Sequence, residues 1–304
     1  LFDVKSGISD QISLTGNTYT GCSKGNADSI LIGITRASNA ALLTMQYNTF
    51  SCTTTGYIAN FDLDSAPDSI NPILFEHNYI NFEDIYNAGH GIIFKQENRE
   101  ITIHNCTFRH CYKGGKPYWA SSLIVDSFSN VVIEDCQFFD CGINGGGNVI
   151  CVSNAVSKCR IENCLFDFTI SQNEKCGSGI STYTDDMSVI GNRFIKCAEN
   201  SLRIECRERG DTFEIIGNYF TECNFKNIIC VFNKFSRTPV IRDNVFENNQ
   251  NSGAESFTFN INDDVESMLF ENNTFKNQKS SLGGFGGIIN SQRSSFEVTF
   301  LNCN

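Results

Sequence analysis

The chain has 304 residues and a formal charge of −11 at pH 7, with a sequence pI near 4.8. It carries no clustered Lys/Arg footprint of the kind a phosphate backbone requires, so nucleic acid is excluded as a partner; no run approaches the ~18 consecutive apolar residues of a membrane-spanning helix. The first residue is Leu1 rather than Met and no secretory leader is visible, so a mature product or a fragment of a longer chain is expected.

One short pattern recurs from end to end. Two apolar residues stand two apart, Asn or Cys follows three later, and an aromatic usually follows two after that. In chain order the apolar pairs are Ile12/Leu14, Leu43/Met45, Ile73/Phe75, Ile101/Ile103, Val131/Ile133, Cys159/Ile161, Met187/Val189, Phe213/Ile215, Pro239/Ile241, Met268/Phe270 and Val298/Phe300. The third position is Asn17, Asn48, Asn78, Cys106, Cys136, Cys164, Asn192, Asn218, Asn244, Asn273 and Cys303. Its spacing runs from 26 residues (Asn192 to Asn218) to 31 (Asn17 to Asn48). The aromatic that follows is Tyr19 or a Phe from Phe50 to Phe275, with Ile80 filling one gap. A repeat of this length with a variable remainder is the signature of a solenoid.

The local period is 2, because polar residues such as Glu76, Glu134 and Glu271 flank the apolar pairs. That alternation puts one face inside and one in water. A second apolar run follows in most repeats, as at Ile30–Ile32, Ile92–Phe94, Leu123–Val125, Val149–Cys151, Ile228–Val231 and Ile288–Ile289. The runs are short, β-branched and punctuated by Gly, Ser and Asn, which argues against helix. The expected fold is all-β: a right-handed single-stranded parallel β-helix of about eleven coils, 26–31 residues each, with three short strands per coil. Residues 1–304 then form a single elongated domain, spanning roughly 50 Å at about 4.8 Å per coil. Asn is expected to take left-handed dihedrals at the bend and to bond to the neighbouring coil. The last repeat, Val298 to Cys303, has no aromatic and no cap after it. Open ends are therefore expected, to be met by further coils of the same chain or by a neighbouring subunit.

Fifteen cysteines would suit a disulfide scaffold, but their positions follow the repeat. Cys106, Cys136 and Cys164 share the ladder column; Cys22, Cys111, Cys141, Cys197 and Cys223 share a second; Cys151, Cys206 and Cys230 lie in the second apolar runs. Free Cys stacks as a small apolar residue. Coil-to-coil spacing also lies within the Cα range of a disulfide, so bridges remain an alternative. No Cys/His cluster has zinc spacing, and no metal or cofactor is expected.

The ends Phe246-Glu247-Asn248-Asn249 and Phe275-Lys276-Asn277, with Gly-Gly-Ile-Ile at 286–289, resemble the repeats of chlamydial polymorphic outer-membrane proteins and of trichomonad surface proteins. Cys replaces the Asn in Phe108-x-x-Cys111, Phe138-x-x-Cys141, Phe194-x-x-Cys197 and Phe220-x-x-Cys223. More broadly the chain resembles the pectate-lyase-like β-helix superfamily. The resemblance implies either a surface adhesin or stalk, or a polysaccharide lyase or glycoside hydrolase; shared scaffold residues do not choose between them.

Galacturonan hydrolases of that superfamily carry Asp-Asp, then Gly-His-Gly, then Arg-Ile-Lys. Here Gly89-His90-Gly91 precedes Asp185-Asp186, and Arg203-Ile204-Glu205 has Glu where Lys is implied. Glycoside hydrolysis needs two carboxyls about 5–10 Å apart, so Asp185, Asp186, Arg203 and Glu205 are the catalytic candidates if the chain is an enzyme. The expected ligand contact is the loop holding Tyr112, Lys116, Tyr118 and Trp119, where the chain's single Trp meets two Tyr and positive charge. Asn105-Cys106-Thr107 and Asn272-Asn273-Thr274 match the glycosylation sequon at the ladder bend, where packing is expected to hinder modification. The reading is a non-enzymatic, rigid segment of a surface or extracellular protein that presents lateral loops to a glycan or protein. An intracellular structural stave is a further alternative.

Overall fold

The computed structural model describes residues 2–5, 11–23, 30–35, 42–53, 57–62, 72–82, 90–95, 100–111, 122–126, 130–141, 149–169, 179–199, 201–205, 212–225, 227–232, 237–251, 257–261, 265–280, 287–291 and 296–304. The chain is a parallel β-solenoid, and no helix occurs among these residues. In one coil, strand Ile101–His104 runs into the ladder residue Cys106, Thr107–Arg109 leaves it, and Leu123–Asp126 returns before Asn130–Glu134 opens the next coil.

Apolar pairs lie directly over one another: Ile12 pairs with Leu43, Leu43 with Ile73, Ile73 with Ile101, Ile101 with Val131, and Val131 with Cys159. The column runs on to Met268 over Val298. The second sheet holds ten strands, from Thr18–Ser23 to Thr274–Lys276. Two strands, Ile150–Glu162 and Ile180–Ile190, run unbroken through the corner between the return strand and the ladder strand. Their continuity merges those faces into one 20-stranded sheet, and a register shift between Val152 and Val156 marks the bend. A small four-stranded sheet, from Ala198–Glu199 to Lys279–Ser280, extends the later coils beyond the second bend. The repeat pattern gave no sign of it.

The bore is filled by one continuous core. Phe108, Phe138, Phe166, Phe194, Phe220, Phe246 and Phe275 stack ring over ring at 4.7–5.1 Å, within 11° of parallel. The strand spacing of about 4.8 Å sets that separation, so identical residues on successive coils place their rings at contact distance.

Two hydrogen-bonded ladders hold the bends. In the first, each side chain reaches back one coil. Asn48 Oδ1 accepts the Asn17 N–H at 3.0 Å, and Asn48 Nδ2 donates to Leu14 O at 2.9 Å. Asn192 and Asn218, expected on one edge, are joined in the same way at 2.8 Å. Cysteine performs both functions with one sulfur: Cys106 Sγ accepts the Asn78 N–H at 3.4 Å and donates to Phe75 O at 3.4 Å. The second bend repeats the arrangement, with Cys141 Sγ donating to Phe108 O, Asn249 Nδ2 to Phe220 O and Gln278 Nε2 to Phe246 O.

One expectation is corrected. The left-handed residue is not the ladder Asn but the residue before it: Gly16, Tyr47, His77, Asn105, Asp135 and their successors have φ between 49° and 70°. The ladder side chain must point inward to reach the previous coil, so its predecessor makes the turn. The sequon residues Asn105 and Asn272 occupy this outward position and are exposed, contrary to the expected hindrance.

All eleven described cysteines carry free thiols, and all but Cys303 are buried. Cys22, Cys176, Cys206 and Cys230 have side chains outside the described residues. Burial pushes the Cys159 thiol up to about 12. It also raises Cys136, with Cys106 and Cys164 bonded beside it, and Cys111, with Cys141 beside it. A raised thiol keeps its proton in the folded state where the unfolded chain loses it. Stability is therefore complete below the ordinary thiol value of 9.0 and falls as pH rises toward about 12. Denaturant titrations are expected to show this alkaline loss, and thiol reagents at pH 8 to leave these residues unlabelled until unfolding. Fast native labelling of Cys106, Cys136 or Cys159 would contradict the buried ladder.

Candidate functional site

The ligand loop expected at Tyr112, Lys116, Tyr118 and Trp119 lies outside the described residues. The enzyme candidates sit on two adjacent coils, whose strands Ile180–Ile190 and Leu202–Glu205 pair. Asp186 is half-buried and structural: its Oδ1 accepts both the backbone N–H and the hydroxyl of Thr212, each at 2.9 Å, and so pins the next coil's strand. Asp185 is exposed beside it. Arg203 pairs in register with Ser181, four positions before Asp185. The backbone of Glu205 pairs with Tyr183, and its side chain lies outside the described residues. His90 and Arg203 are separated by four successive strand pairings. Among the described residues, no group of three or more His, Cys, Asp or Glu is placed to hold a metal ion.

Two exterior clusters, neither anticipated from sequence, stand out. On the later coils, Tyr219 donates its hydroxyl to Glu247 Oε2 at 2.5 Å, and Lys276 Nζ sits 2.6 Å from Glu247 Oε1. The Lys276 ammonium and then the Tyr219 hydroxyl hold the Glu247 carboxyl below its usual range. In return, Glu247 raises Lys276 and, with some burial, Tyr219. These groups satisfy one another, as a solvated ion pair does, and such pairs contribute little to stability.

The other cluster lies at the first bend of the early coils, in the left-handed column. Tyr47 stacks on His77 with ring centroids 4.7 Å apart and planes 2° apart. His77 meets His104 edge-on at 5.4 Å, and Asn105 Nδ2 lies 2.9 Å from His77 Nδ1. His104 Nε2 stands 3.4 Å from Asp135 Oδ2. Tyr47 is 58% exposed, and Tyr79, on the adjoining face, 37%. Below Tyr47 the column holds Gly16, where an added Cβ would meet nothing within 4 Å. The sequence signal for this cluster was the column Gly16, Tyr47, His77, legible only once the turn position is known to precede the ladder.

Compared with protein-family models, with curated proteins and with solved structures, the chain matches none.

Proposed function

We propose that the chain is a rigid, non-enzymatic β-helical spacer of a surface or extracellular protein, akin to the polymorphic outer-membrane-protein repeats within the pectate-lyase-like class, and that it presents its lateral surface to a glycan or protein. The observation that carries this reading is the phenylalanine stack from Phe108 to Phe275 with its paired ladders, which ties successive coils into one core. A stack of this kind transmits position along its axis. The intracellular stave is a second reading, favoured by the free thiols, which suit a reducing compartment.

The enzyme alternative is tested by incubating the chain with polygalacturonate, with and without calcium. No cleavage is expected: Asp186 already accepts two bonds from Thr212, and a net charge of −11 repels a polyuronate within a screening length of about 8 Å. Turnover abolished by Asp185→Ala or Arg203→Ala would overturn the spacer reading. Antibody labelling of intact source cells tests the location, and labelling only after permeabilisation would favour the stave.

A further inference from the structure

We infer that the open face of Tyr47, above Gly16, is a binding platform for one ring of a neutral carbohydrate. The ring is already oriented. Stacking on His77 at 4.7 Å and 2° holds it parallel to the coil plane, as the buried phenylalanines are held. In the buried phenylalanine column each inner ring, such as Phe166, has a neighbour on both faces. Tyr47 lacks one, because the position one coil away is Gly16, and among the described residues no ring covers that face. Coils lie about 4.8 Å apart and a Cβ at Gly16 would meet nothing within 4 Å, so the place over Tyr47 that a side chain at 16 would occupy is free for a ring.

The rim selects the ligand class. Residues 11–23 and 42–53 contain no charged side chain, in a chain of net charge −11. The outward positions beside Gly16 are Ser13, Thr15, Thr18 and Thr20, all exposed. The carboxylate of Glu76, on the coil that follows Gln46, is bonded to Gln46 Nε2 at 2.6 Å. A pyranose presents an apolar C–H face to the negative face of an aromatic ring and directs hydroxyls from its edge toward such a rim. An aromatic peptide side chain would fill the place but leave the rim hydroxyls to water, and an acidic sugar would find no Lys or Arg among the described residues 11–23 and 42–53. The inference rests on the presenting-surface reading, yet the two fail separately. An inert platform leaves the spacer standing, whereas cleavage of the same sugars would sink the spacer and keep the platform.

The test uses calorimetry and saturation-transfer NMR with short neutral oligosaccharides of glucose, mannose and xylose, and with tetragalacturonate and a tyrosine-containing peptide as controls. At least one neutral sugar should bind, with a dissociation constant on the order of 1 mM. Tyr47→Asn should weaken it at least about tenfold, and Tyr47→Phe by less than about threefold, since only the ring face is used. Gly16→Asn should weaken it at least about tenfold with Tyr47 intact, by filling the gap. Asn105, Asn163 and Asn272 already hold the equivalent place at φ 49°, 53° and 52°, so both Asn variants suit the backbone, and circular dichroism checks their folding. The inference is overturned if no neutral sugar binds at about 10 mM, if binding survives both Asn variants, or if the acidic sugar or the peptide binds better.

Discussion

Replacing Phe194 by alanine is expected to cost about 3–5 kcal/mol of folding stability. Phe194 is fully buried and lies between Phe166 and Phe220, each 4.7 Å away and within 5° of parallel. Alanine removes two stacking contacts, each adding about 0.5–1.5 kcal/mol beyond the area buried. The surroundings cannot collapse into the space, because the rings above and below belong to hydrogen-bonded coils whose spacing is fixed by their ladders. Gln137, exposed on an equivalent strand, provides the control: its replacement by alanine should change stability by less than about 0.5 kcal/mol. Urea denaturation of the two variants checks the contrast, and equal shifts in midpoint would mean that the inward and outward faces are misassigned.

The features legible in the sequence are those that stacking forces to repeat. A parallel coil sets each residue over its counterpart, so burial and bonding demand the same type again and again, and Phe138, Phe166 and Phe194 report the bore directly. The ladder at Asn192, Asn218 and Asn244 is legible for the same reason, since each carboxamide serves the next. The turn residue is not. Gly16, Tyr47, His77 and Asp135 share a backbone conformation but no side-chain chemistry, because this outward position has no inward partner that every coil must satisfy. Corner-crossing strands such as Ile150–Glu162 depend on how far the chain remains extended between two faces, which a period-2 pattern does not encode. The candidate site was hidden by the same logic. Tyr47 becomes notable through its stacking on His77 and the empty place at Gly16, residues 30 and 31 positions away in sequence. The sequence also did not show that Asp186 fastens Thr212 on the next coil, or that Arg203 stands level with Ser181.

Asn218→Ala is expected to be about as damaging as loss of a core ring, through bonding rather than packing. Asn218 Oδ1 accepts the Asn192 backbone N–H at 2.8 Å and its side-chain amide at 3.0 Å. Asn218 Nδ2 donates to Val189 O at 2.8 Å and Asn244 Oδ1 at 3.0 Å. Asn192, Asn218 and Asn244 are at most 1% exposed, so water cannot replace what alanine removes. An unpaired buried group costs about 1–3 kcal/mol, and with the Asn192 N–H and the Val189 carbonyl both orphaned the loss should be on the order of 3–5 kcal/mol. Asn218→Cys should be milder by at least about 1 kcal/mol. In this chain Cys106 and Cys136 already accept a ladder N–H at 3.4 and 3.5 Å, and Cys136 and Cys164 donate to Ile103 O and Ile133 O at 3.6 and 3.7 Å. Denaturant curves of wild type, Asn218→Ala and Asn218→Cys decide the matter. If cysteine costs as much as alanine, the thiols at 106, 136 and 164 only fill space, and the ladder is held there by its backbone alone.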